Sequence, residues 1–149
     1  IRARCGDFRV HVLAQQLALP QRDEARLLGL SGDELAWVRE VLLLADGRAV
    51  VYARSVLPRH NLRGAWNLFH GIGARPLGAA LFADPRIARQ PLACACLDTR
   101  DARYHHAVAA LPGVALPARL WARRSVFLLR RRALLVSEAF LPAILDLPR

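Results

Sequence analysis

The polarity pattern alternates with a period of two near the start of the chain. Phe8, Val10 and Val12 interleave with Arg9 and His11, which predicts a strand from Phe8 to Leu19 that Pro20 ends. The polar stretch that follows, through Glu24 and Arg26, is expected to be a loop. Trp37 to Leu44 and Arg48 to Leu57 read as strands two and three, joined at Asp46-Gly47. That dipeptide is a strong hairpin signal, because glycine tolerates the positive φ of the turn. Asn61 to Phe69 predicts a short helix, with Leu62, Ala65, Trp66 and Phe69 at helical spacing and Gly71 as its stop. Leu77 to Phe82 predicts a second helical piece after the turn Arg75-Pro-Leu-Gly78, and Asp101 to Leu111 a third, ended by Pro112-Gly113. Ile87 to Leu97 reads as a strand that Pro91 confines to an edge or a break. Finally, two apolar runs flank the basic triplet Arg130-Arg131-Arg132, which has the length of a hairpin loop.

Strands outnumber helices in this reading, and the clear strand pairs are hairpins. The expectation is an α+β fold: one domain over residues 1–149, with a single antiparallel sheet of about six strands. Helices between strands three and four, and again before five, would cover one face. The other face could then curve over a pocket.

A few charges sit inside apolar strands. In the last run Glu138 shares a face with Leu134, Val136 and Phe140. Burial there requires a partner or neutralisation, whereas a face at a sheet edge would leave the carboxylate in water. Arg54 is the cationic counterpart, sharing a face with Val50, Tyr52 and Val56; the bland alternative is a side chain that snorkels at the sheet margin. Arg123 shares a face with Trp121, Ser125 and Phe127, while Arg124 points the other way with Val126. A guanidinium at one end of a pocket and a carboxyl group at the other would suit a small molecule carrying a carboxylate and a hydroxyl.

Composition changes this picture little. The chain has 149 residues, 54% of them hydrophobic, and its apolar runs stop short of a membrane span, so a soluble domain is expected. No basic-then-apolar leader opens it, which gives an expectation of the cytoplasm. The net charge of +10 comes from scattered arginines without a single lysine, which reads as compositional bias rather than a nucleic-acid surface. Cys94 and Cys96 lie two apart, which does not match zinc spacing; with His105-His106 nearby a metal site is conceivable, but buried thiols are the simpler account. G-x-S-x-G, H-E-x-x-H, phosphate-binding and dinucleotide fingerprints are all absent.

Several blocks resemble the chorismate lyase family: Trp37-Val-Arg-Glu-Val-Leu-Leu-Leu-Ala-Asp-Gly47 with Ala53-Arg-Ser-Val-Leu-Pro58, Gly73-Ala-Arg-Pro-Leu-Gly78, Leu120-Trp-Ala-Arg-Arg-Ser125 and Leu134 to Ala143. They follow the family's order and cover most of the chain from about Trp37 onward. The resemblance implies an enzyme that converts chorismate to 4-hydroxybenzoate and pyruvate for ubiquinone, as a monomer without cofactor or metal, at a site buried under helical flaps. It implies that Arg54 holds the ring carboxylate, that Leu77 offers a backbone group and that Glu138 sits at the ring hydroxyl. Arg123 or Arg124 would stabilise the departing enolpyruvate. A further ligand-contacting loop of the family would precede Ile1, so the chain is expected to lack that extreme N-terminal segment. The effector-binding domains of GntR-type regulators resemble this family in fold and bind small molecules without transforming them. The Arg54, Leu77 and Glu138 set favours the enzyme.

Overall fold

A computed structural model describes residues 1–148. Seven strands form one antiparallel sheet: β1 (Phe8–Ala18), β2 (Ala36–Ala45), β3 (Arg48–Pro58), β4 (Ala88–Arg89), β5 (Ala93–Asp98), β6 (Arg119–Leu129) and β7 (Arg132–Phe140). Their order is β1-β2-β3-β7-β6-β4, and β5 also pairs with β6. Three helices accompany them: α1 (Arg22–Leu28), α2 (Leu77–Ala83) and α3 (Ala102–Ala109). The fold is α+β as expected, with seven strands in place of about six. The expected strand from Ile87 to Leu97 is divided at Pro91 into β4 and β5, both on β6. Among the described residues no helix is long and apolar enough to cross a membrane.

The sheet is covered on both faces, not one. On the first, α1 and α3 pack over two apolar clusters, one around Val38, Val56 and Leu135, the other around Leu42, Tyr52, Leu97 and Leu141. On the second, the segment from Arg59 to Ala83 lies over Leu57, Phe127 and Leu134, burying Trp66, Phe69, Ile72 and Leu77. Two hydrogen bonds pin this flap to the start of β7. Trp66 Nε1 donates to the Arg132 carbonyl at 2.9 Å and Asn61 Nδ2 to that of Ala133 at 3.0 Å.

Two local expectations need correction. Residues 61–69 do not form a helix, because Gly64 adopts φ of +87° and interrupts it. Short 3-10 turns at Arg59–Asn61 and Asn67–Phe69 replace it. Residues 22–28 are a helix rather than a loop. Gln21 and Glu24 form a reciprocal capping box, and Gly29 closes the helix with φ of +67°.

Candidate functional site

Because side chains alternate, the strand register fixes which residues share a face. Arg39 pairs with Ser55, Ser55 with Val136 and Val136 with Ser125, giving one transverse row across β2, β3, β7 and β6. The next row runs Val41, Ala53, Glu138 and Arg123. Both rows face the flap, and together they floor a cavity of about 190 Å³. Its roof and walls come from Pro76, Leu77 and Leu81 of the flap and from Phe8 and Val10 of β1. A space of roughly 150 Å³ is enough for a benzene ring.

The polar groups of this cavity are few. Arg39 is fully buried, and its Nη2 donates to the carbonyls of Gly73 (2.9 Å) and Arg75 (3.2 Å) in the flap. Its Nε is buried without a hydrogen-bond partner, and no carboxylate among the described residues pairs with it. Burial alone draws its pKa below the ordinary arginine value. Glu138 accepts from Arg123 Nε at 2.5 Å, and the Arg123 guanidinium also lies 5.3 Å from the centre of the Phe140 ring. Ser125 is buried, and its Oγ has no hydrogen-bond partner among the described residues. Leu77, the first residue of α2, is buried beside them.

The cavity thus brings together Glu138, Leu77 and Arg123. Arg124 also lines it, whereas Arg54 does not. Arg54 pairs across β3–β7 with Ser137, one position off Glu138, so its side chain leaves the opposite face of the sheet. Arg54 and Glu138 therefore alternate to opposite faces, although both also line a second cavity of about 150 Å³, with Tyr52, Arg123 and Arg124. Arg54 is instead held by Glu24 of α1 through two bonds of 2.8 and 3.1 Å, with Glu40 3.4 Å away. Burial pulls its pKa down, but the bond and the charge of Glu24, with Glu40, raise it overall. Tyr52 donates to Glu40 in the same network, and His106 of α3 approaches that carboxylate at 3.5 Å. Arg124, also on this face, pairs with Asp23 of α1 at 2.6 Å.

Two residues of this architecture escaped the sequence reading. Arg39 carries the signal that singled out Arg54, a lone charge among Trp37, Val41 and Leu43 on one strand face. Glu24 was legible through its place three residues after Gln21, the spacing of a capping box. Cys94 and Cys96 prove exposed rather than buried: they lie on β5, an outer strand, at positions that alternate away from the covering helix α3.

Comparison with known proteins agrees with the resemblance. The sequence model described as chorismate lyase matches residues 1–148. The probable chorismate pyruvate-lyase of Aromatoleum aromaticum is 70% identical over 99% of this chain and 80% of its own length. That of Azoarcus sp. is 64% identical over 99% and 79%. Among solved structures, the effector-binding domain of the Bacillus subtilis trehalose repressor superposes with a TM-score of 0.66 at 14% identity, covering 95% of this chain and 93% of that one. The PhnF C-terminal domain gives 0.67 at 13% identity, over 89% and 82%. These likenesses are of fold alone, whereas the whole-length sequence matches go further: the chain belongs to the chorismate lyase family.

Proposed function

We propose that this protein eliminates pyruvate from chorismate to give 4-hydroxybenzoate, as the entry step to ubiquinone, acting as a cytoplasmic monomer. The observation that carries the reading is Arg39: a buried guanidinium with a spare Nε and no counter-carboxylate, in one cavity with Glu138. A buried cation whose only protein partners are neutral carbonyls calls for an anionic ligand. Arg39 takes the role of ring-carboxylate anchor that the resemblance had put on Arg54. Glu138 accepts from the ring hydroxyl at the other end, and Leu77 closes on the ring.

In the reaction the ether bond to the enolpyruvyl group breaks, and its electrons stay on the enolate oxygen. The hydrogen on the neighbouring hydroxyl-bearing carbon leaves as a proton, and the ring becomes aromatic. The enolate takes up one proton and ketonises to pyruvate, so atoms balance. Aromatisation supplies the drive, and no step calls for a metal or cofactor. The protein's task is to hold the ether in a geometry that favours departure and to stabilise the charge that develops. Arg123, which pairs with Glu138, supplies positive charge for that purpose.

Incubation with chorismate, followed by the ultraviolet absorbance of 4-hydroxybenzoate, tests the reading. Release of 4-hydroxybenzoate is expected. Tight binding of 4-hydroxybenzoate without any turnover of chorismate would leave only a small-molecule sensor of the kind the trehalose repressor domain exemplifies in name.

A further inference from the structure

We infer that Ser125 is the residue that recognises the enolpyruvyl group, through a hydrogen bond from its hydroxyl to the ether oxygen that becomes the enolate. The inference rests on the lyase reading above and goes beyond it.

Ser125 Oγ is a buried hydroxyl without a partner, and it lines the same cavity as Arg39 and Glu138. Buried hydroxyls in folded proteins are nearly always paired, so an unpaired one in a cavity wall is a candidate ligand contact. The register then decides which part of the ligand it meets. Arg39 and Ser125 stand in one row, three strands apart. At about 4.8 Å per strand their backbones are separated by roughly 14 Å, too far for both to grip one carboxylate.

Arg123 and Ser125 are instead two apart on β6, on one face, with backbones about 7 Å from each other. They form the margin of the cavity floor beyond Glu138. In chorismate the enolpyruvyl ether branches from the ring carbon next to the hydroxyl-bearing one. With the ring carboxylate on Arg39 and the hydroxyl on Glu138, that branch falls towards β6. Arg123 then meets the enolpyruvyl carboxylate and Ser125 the ether oxygen. Ser125 keeps its proton throughout; the bond strengthens as negative charge collects on the oxygen. The product has lost this group, so the contact exists for substrate and not for 4-hydroxybenzoate.

That asymmetry makes the test selective. Ser125→Ala and Ser125→Thr would be assayed for chorismate turnover and, by calorimetry, for 4-hydroxybenzoate affinity. The inference expects kcat/KM of the alanine variant to fall roughly 10- to 100-fold, the range for one lost hydrogen bond to a developing charge. Product affinity should stay within about twofold, and threonine should recover part of the rate. Unchanged turnover in Ser125→Ala would overturn the inference while leaving the lyase reading intact. A parallel loss of turnover and product affinity would also overturn it, by making Ser125 a packing residue. Wild-type protein that binds 4-hydroxybenzoate but leaves chorismate untouched would overturn the lyase reading itself.

Discussion

Arg39 and Glu138 project from the same face of the sheet, two strands and one register row apart, into a single cavity. Adjacent strands are about 4.8 Å apart and alternate residues on a strand about 7 Å, so their backbones stand roughly 12 Å from each other. Long side chains reaching inward from both leave a gap on the scale of one benzene ring with its two substituents.

Arg39→Met keeps the volume of the side chain and removes its charge. Loss of a hydrogen bond to a charged group costs about 1.5–3 kcal/mol, so 4-hydroxybenzoate should bind roughly 10- to 100-fold more weakly. Calorimetric titration measures this directly. Saturating ligand should also raise the melting temperature of the wild type and do little for the variant. Equal affinity in the two proteins would remove Arg39 from the site.

Arg54 and Glu24 make a different claim, because their contact joins α1 to β3. Both side chains are almost wholly buried, 8% and 1% exposed. Truncating one member of such a pair strands the other charge and typically costs about 3–5 kcal/mol. Arg54→Met and Glu24→Gln should each lower the urea midpoint accordingly. The double variant should be less destabilised than the sum of the two, since neither charge is then left alone. Strict additivity would show that the pair is not coupled.

The strands and hairpins were legible because one-residue alternation and turn dipeptides are local signals. Asp46-Gly47 and the runs on either side of Arg130 announce themselves within a dozen residues. The site was harder, for a reason that lies in the pleat. Glu138, Leu77 and Arg123 emerged together, but choosing between Arg39 and Arg54 requires knowing which face of β2 and β3 meets the flap. Both arginines interrupt apolar faces in neighbouring strands, and only the pairing of Ala53 with Glu138 separates them. Tertiary register, a non-local quantity, sets which of them shares a face with Glu138. The buried pair of Glu24 with Arg54 was hidden in the same way, by a sequence separation of 30.

Tyr52 gives the buried network a pH signature. Burial and its hydrogen bond to Glu40 push its pKa well above the ordinary tyrosine value. A group with a raised folded-state pKa contributes stability that is complete below the unfolded value, about 10, and drains away as pH climbs beyond it. The wild type should therefore lose stability above pH about 10, whereas Tyr52→Phe should show a flatter decline from a lower plateau. Urea midpoints at several alkaline pH values measure both curves. Parallel slopes would mean that another group governs the alkaline limit.

The hairpin between β6 and β7 turns through Arg130 and Arg131, whose φ angles are +49° and +63°. The loop is two residues, with Arg132 already in β7, rather than the three of the basic triplet. Asp46-Gly47 adopts the same signs, +49° and +78°, in the β2–β3 hairpin. Both turns have the positive φ at each central residue that a type I′ turn needs, and Asn-Gly is among the sequences that prefer it. A side chain in the left-handed region costs about 1–2 kcal/mol. Arg130→Asn with Arg131→Gly should therefore raise the melting temperature by about 2–8 °C in a chain of this size. Removing two arginines from a chain of net charge +10 also lessens self-repulsion, so charge must be separated from geometry. Arg130→Gln with Arg131→Gln removes the same charge while keeping both strained backbones. If the glutamine pair matches the Asn-Gly pair in a thermal melt, the gain belongs to electrostatics and the turn carries no strain worth relieving.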